Sequence, residues 1–156
     1  MKSSPTLPVG LARECAVRDL YASRLDEFRP DEMLLQTEHT FMGSGIRADM
    51  RTIDRTDVVR VWEFKLVASY DGLGQALAYW AQERIAAKQE RQVKGVLAAF
   101  EIRPQIIAAV ENLNLGLELV VIPAKLRAGG YVPPEPPSIA PVPVIPRLAP
   151  SPVHSL

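Results

Sequence analysis

The chain has a single cysteine, Cys15, in 156 residues. A disulfide framework, a zinc-finger cluster and a cysteine-ligated iron–sulfur cluster each need several thiols, so one chain builds none of them. Net charge is missing too. Eighteen Lys and Arg balance eighteen Asp and Glu, so overall charge selects no partner, and a nucleic acid would have to be met by a local patch. No apolar run approaches the length that spans a bilayer, which predicts no membrane partner. The opening Met-Lys-Ser-Ser-Pro lacks the apolar core of a signal peptide. Together with the scarcity of cysteine, this predicts a reducing, cytoplasmic setting. His39 has no companion at metal-ligand spacing and is read as structural.

What the chain does have is apolar content, 47% of residues, enough for a real core. The stretch Ile46 to Leu66 is its most informative part. Ile46, Ala48 and Met50 alternate with Arg47, Asp49 and Arg51, the pattern of a strand with two different faces. A polar link follows, and Val58 to Leu66 reads as a second strand rich in β-branched and aromatic residues. Glu63 and Lys65, two apart, project from the same face as Val59 and Val61. Burying a carboxylate and an ammonium there is costly unless they pair or bind something. In a hairpin, Asp49 joins them, and two carboxylates with a lysine suit a divalent metal and a phosphate.

Elsewhere the periodicity predicts a helix from after Pro8 to about Phe28, with Leu11, Val17, Tyr21, Leu25 and Phe28 on its apolar side. Glu14 lies within that stripe. It is either a carboxylate satisfied at the stripe's end or a group aimed at Asp49 and Glu63. Met33 to Met42 reads as a strand, and Gly43-Ser44-Gly45 as a turn. A helix from Asp71, its expected N-cap, to about Lys88 packs through Leu73, Ala76, Leu77 and Trp80, with Gln75 and Tyr79 together on a neighbouring flank. Arg84, Lys88, Arg91 and Lys94 make a basic run at its end, either a solvated face or a holder of phosphates. Val93 to Phe100 is apolar enough for a strand buried on both faces. Pro104 starts a short helix, and Leu117 to Ile122 is a last strand. The composition then changes: prolines recur from Pro133 to Pro152. This divides a domain at 1–127 from an extended or disordered Pro-rich tail at 128–156, which is either a spacer or a docking peptide for a protein partner.

The order helix, three strands, helix, strand, with Glu14, Asp49 and Glu63-x-Lys65 on it, resembles the PD-(D/E)XK nuclease superfamily, and Gln75-x-x-x-Tyr79 resembles the motif that follows the lysine in RecB-type members. The separations also resemble those of archaeal-type Holliday junction resolvases. Ala48 stands where the family's name places proline. The resemblance implies an α/β fold with a restriction-endonuclease-like core, a mixed central sheet flanked by helices. It implies that Glu14, Asp49 and Glu63 hold Mg²⁺ or Mn²⁺, and that Asp49, Glu63, Lys65 and Gln75 act in catalysis. Arg47, Gln75, Tyr79, Arg84 and Lys88 are the expected nucleic-acid contacts. The expected activity is metal-dependent hydrolysis of DNA, with RNA and a homodimeric state left open. Two other readings stand beside it. One is an inactive nuclease-fold module that binds nucleic acid or assembles into a larger complex; the other is a Glu63–Lys65 pair that is only structural.

Overall fold

The structure is a computed structural model that describes residues 9–127, with the side chains of 9–12 left undescribed. Helix α1 (Val9–Ser23) is followed, after a break at Arg24, by the single turn α2 (Leu25–Phe28). Strands β1 (Glu32–Thr40), β2 (Arg47–Asp54) and β3 (Val59–Ala68) come next, then helix α3 (Tyr70–Ala87) and strand β4 (Val93–Ile102). Helix α4 (Pro104–Asn112), strand β5 (Glu118–Val121) and a 3₁₀ turn (Ala124–Arg127) complete the described part. The expected element order is reproduced. The expected single first helix is split, and Ser69 rather than Asp71 occupies the N-cap position of α3, without a side-chain cap. The tail expected over 128–156 lies outside the described residues.

The five strands form one mixed sheet in the order β1-β2-β3-β4-β5. The β1–β2 and β2–β3 pairs are antiparallel, whereas β3–β4 and β4–β5 are parallel. Parallel neighbours need a crossover, and α3 and α4 supply the two. β4, flanked on both sides, is buried from Gly95 to Ala99, as its apolar run predicts. β1, at the edge, leaves Met33, Leu34 and Leu35 exposed.

Strand alternation gives the sheet two unlike faces. On one, Met50, Trp62, Phe64, Val96 and Ala98 pack against Val17, Tyr21 and Leu25 of the first helices. Tyr21 contacts Phe28, Trp62 and Phe64 at ring separations of 5.0 to 5.5 Å. Each large apolar side chain buried this way contributes roughly 1.5–3 kcal/mol, so this aromatic cluster anchors the helix that carries Glu14. On the other face, Leu73 and Ala76 of α3 and Ile106 and Val110 of α4 cover Leu97 and Ala99. Asp49, Glu63 and Lys65 lie toward this second face.

Trp80 fixes how α3 lies on the sheet. Its indole N–H donates to the Val93 carbonyl at 3.0 Å, and its ring and Cβ leave no room for a side chain at Gly95 or Gly116. A Cβ on Gly95 would stand 2.7 Å from Leu117 Cδ1 and 3.0 Å from Trp80 Cβ. Leu117 can rotate away, but Trp80 Cβ moves only with the helix. Gly95→Ala is therefore expected to cost about 1–3 kcal/mol, read as a lower urea midpoint at unchanged slope; an unchanged midpoint would show that α3 slides freely on the sheet.

Candidate active site

The β2–β3 hairpin, α1 and α3 converge on an open cleft of about 450 Å³. The hairpin supplies Arg47, Asp49, Glu63 and Lys65, α1 supplies Glu14, and α3 supplies Gln75 and Tyr79. Seven side chains singled out in the sequence thus line one cleft, and Glu14 reaches it rather than ending as an isolated carboxylate. Arg84 and Lys88 do not line it. Arg84 lies in a separate hollow with Trp80, Arg91 and Gln92, and Lys88 is the left-handed C-cap of α3. At 1.5 Å per residue, Arg84 stands about 7.5 Å along the helix beyond Tyr79.

Glu63 is the most deeply placed of the charged groups, its side chain 4% exposed, against 21% for Lys65. Lys65 Nζ lies 3.2 Å from Glu63 Oε1 and 3.8 Å from Glu14 Oε2. Glu63 Oε2 is buried with no hydrogen-bond partner. A buried acceptor left unsatisfied is costly, more so on a charged group. Asp49 is turned onto the neighbouring strand, where one carboxylate oxygen accepts the Phe64 backbone N–H at 2.8 Å. Among the described residues, no three His, Cys, Asp or Glu side chains stand close enough to form a ready-made metal cluster.

Burial, reinforced by the Asp49 charge, pushes the Glu63 carboxyl up to about 8, against the pull of Lys65 and the Tyr79 hydroxyl. Burial also raises Glu14; Lys65 opposes that and Asp49 adds to it. For Lys65, burial works against the charged form, but Glu63 and then Glu14 outweigh it and the pKa rises. Lys65 is the more exposed partner and keeps its charge, so the change of protonation at neutral pH falls on Glu63. Tyr79 is raised as well, by burial and by the adjacent Glu63, and stays neutral.

Other contributors were not singled out from sequence. Thr40, at the end of β1, and Gly45, in the β1–β2 connection, line the cleft. Gly72, in the first turn of α3, lies flat on the Lys65 stem, where a Cβ would stand 3.0 Å from Lys65 Cγ. Arg51 and Glu83 also join β2 to α3 beside the cleft by paired contacts of 3.1 and 2.6 Å. Glu83 was legible in principle, because it continues the four-residue spacing of Gln75 and Tyr79. His39 packs edge-on against Phe41, consistent with a structural part.

No family model matches the sequence, and no curated protein matches it. Solved structures do match. One is EndoMS in complex with double-stranded DNA, at TM-score 0.56 and 18% identity over 79% of this chain and 49% of that chain. Another is a repair endonuclease from Pyrococcus abyssi, at TM-score 0.56 and 16% identity over 79% of this chain and 50% of that chain. The chain therefore shares its fold with endonucleases and spans about half of their length.

A proton held by folded Glu63 up to about pH 8 but released near 4.5 in the unfolded chain means that the folded state binds more protons between those values. Stability of the metal-free protein must then fall as pH rises through that window. The expected loss between pH 5 and 8 exceeds about 1.4 kcal/mol, the equivalent of one pKa unit, and Glu63→Gln should remove most of it. Urea unfolding at the two pH values checks this; equal pH dependence in parent and variant would show that Glu63 titrates normally.

Proposed function

We propose that this chain is a PD-(D/E)XK-type, metal-dependent deoxyribonuclease domain that hydrolyses phosphodiester bonds in the cleft around Glu63. The observation that carries this reading is the Glu63 carboxylate itself. It is buried, one oxygen has no partner, and it stands beside Lys65 and Asp49 in a cleft open to a large ligand. The fold shared with endonucleases, one of them bound to double-stranded DNA, supports the reading.

The donor set fits Mg²⁺ or Mn²⁺, since hard cations take oxygen ligands and need neither His nor Cys. Glu63, Asp49 and Glu14 would hold the ion, which when bound lowers the pKa of water and offsets charge on the phosphate. The rest falls to the chain's own groups. Lys65, a compact cation on the same strand face as Glu63, orients the attacking water and offsets the charge that develops on the phosphate oxygens. Arg47, exposed at the start of β2, holds a phosphate at the mouth of the cleft. Gln75 and Tyr79, one turn apart on α3, donate hydrogen bonds that place the scissile backbone. Arg84 and Lys88, further along the same helix, hold phosphates outside the reacting centre and contribute to affinity.

The test is single-turnover cleavage of a labelled duplex with Mg²⁺ or Mn²⁺, alongside binding constants at one salt concentration. Lys65→Ala should slow cleavage about a hundredfold or more while changing affinity little, because its charge matters most in the transition state. Equal rates in parent and variant, or a parent that cuts nothing with any divalent metal, would overturn the assignment. The second result would leave an inactive binding module as the reading.

A further inference from the structure

The cleft already contains a cation. Lys65 Nζ sits between Glu63 Oε1 and Glu14 Oε2, at 3.2 and 3.8 Å. These two carboxylates come from different elements, β3 and α1, so the ammonium bridges the site rather than merely pairing along its own strand. Its stem has little freedom, because Gly72 packs against Cγ and Cε at 3.0 and 3.6 Å from where a Cβ would be. Asp49, the third carboxylate, is meanwhile directed to the Phe64 N–H. One oxygen of each carboxylate expected to hold a metal is thus engaged by the protein itself, while Glu63 Oε2 has no hydrogen-bond partner.

We propose that Lys65 is a resident counter-ion that keeps a divalent metal out of the cleft until a phosphate of the nucleic acid draws the ammonium away. This rests on the reading of the cleft as a metal-dependent nuclease site. Two cations cannot share the space between Glu14 and Glu63 without strong repulsion at such separations. A metal arriving first must displace Lys65 from both carboxylates and leave its charge without a partner. A phosphate arriving with the metal offers that ammonium a new anion. Binding of metal and of nucleic acid is then positively coupled, and the coupling must be equal in both directions. The free protein would carry little metal, and the complete constellation would assemble only on substrate.

The experiment is calorimetric titration of the full chain with Mg²⁺, alone and with a duplex carrying hydrolysis-resistant phosphorothioates, for parent and variants at one pH. Lys65→Met keeps the length of the stem and removes the charge; Lys65→Arg keeps the charge. Without nucleic acid, Lys65→Met should bind Mg²⁺ about tenfold more tightly than the parent, a size ordinary for coupled sites, and Lys65→Arg should stay near the parent. The duplex should strengthen Mg²⁺ binding in the parent and do so much less in Lys65→Met. Melting curves establish that each variant is folded; if Lys65→Met is not, Lys65→Gln takes its place. Metal affinity that is equal or weaker in the neutral variant, while the parent binds Mg²⁺, overturns the counter-ion role and leaves the nuclease reading standing. Absence of Mg²⁺ binding in parent and neutral variant alike, with and without duplex, overturns both.

Discussion

A carboxylate taken almost entirely out of water, with one oxygen left unpaired, is the constraint on which the rest of this site depends. Burial disfavours the ionised form, and Lys65 on one oxygen together with the Tyr79 hydroxyl offsets this only in part, so the carboxyl holds its proton up to about pH 8. The cost is carried by its surroundings. β3 is held in register between β2 and β4, with Trp62 and Phe64 on its opposite face locked into the aromatic cluster. Glu63 therefore cannot turn to solvent without breaking the pairing of the sheet or exposing those rings.

The two faces of the sheet divide the labour. The α1 face is aromatic and closed, and it secures the helix from which Glu14 extends. The α3 face is apolar under Leu73 and Ala76 and becomes charged toward Asp49, Glu63 and Lys65. At the other end of the strands, Arg60 joins Asp54 and Glu118 at 2.7 Å each, and Arg29 adds a second link to Glu118. These ions are fully paired, and the Asp54 carboxyl is held well below the usual carboxylate range, first of all by Arg60. The contrast is informative: the ions at that end are paired with one another, whereas Glu63 keeps one oxygen without a partner in the cleft.

Much of this was legible in the sequence for a simple reason. A strand alternates with period two, so Asp49, Glu63 and Lys65 declare their faces, and charge on an otherwise apolar face announces a site. Glu14, a carboxylate inside a helical apolar stripe, could be read two ways, and its place beside Lys65 is what brings it into the cleft. What stayed hidden depends on how elements meet. The break at Arg24 has no Pro or Gly to mark it. Gly72 reads as part of an ordinary helix start until the Lys65 stem is seen beneath it. The direction of α3 across the sheet, which brings Gln75 and Tyr79 to the carboxylates and carries Arg84 and Lys88 away, is set by Trp80 and its contacts with Val93, Gly95 and Gly116. Such contacts bring together residues 13 or more positions apart, and no local pattern encodes them.

The carboxylates around Glu63, read as a cation site completed by nucleic acid, are open to a direct crystallographic check. A crystal of the protein with a short duplex, grown in Mn²⁺ and measured at a wavelength where manganese scatters anomalously, tests this reading most directly. The expected result is an anomalous peak bonded to Glu63 and Asp49, with a phosphate oxygen beside it and the Lys65 ammonium moved off Glu14. Duplex bound with no peak in the cleft, or a peak at some other group of carboxylates, would contradict it.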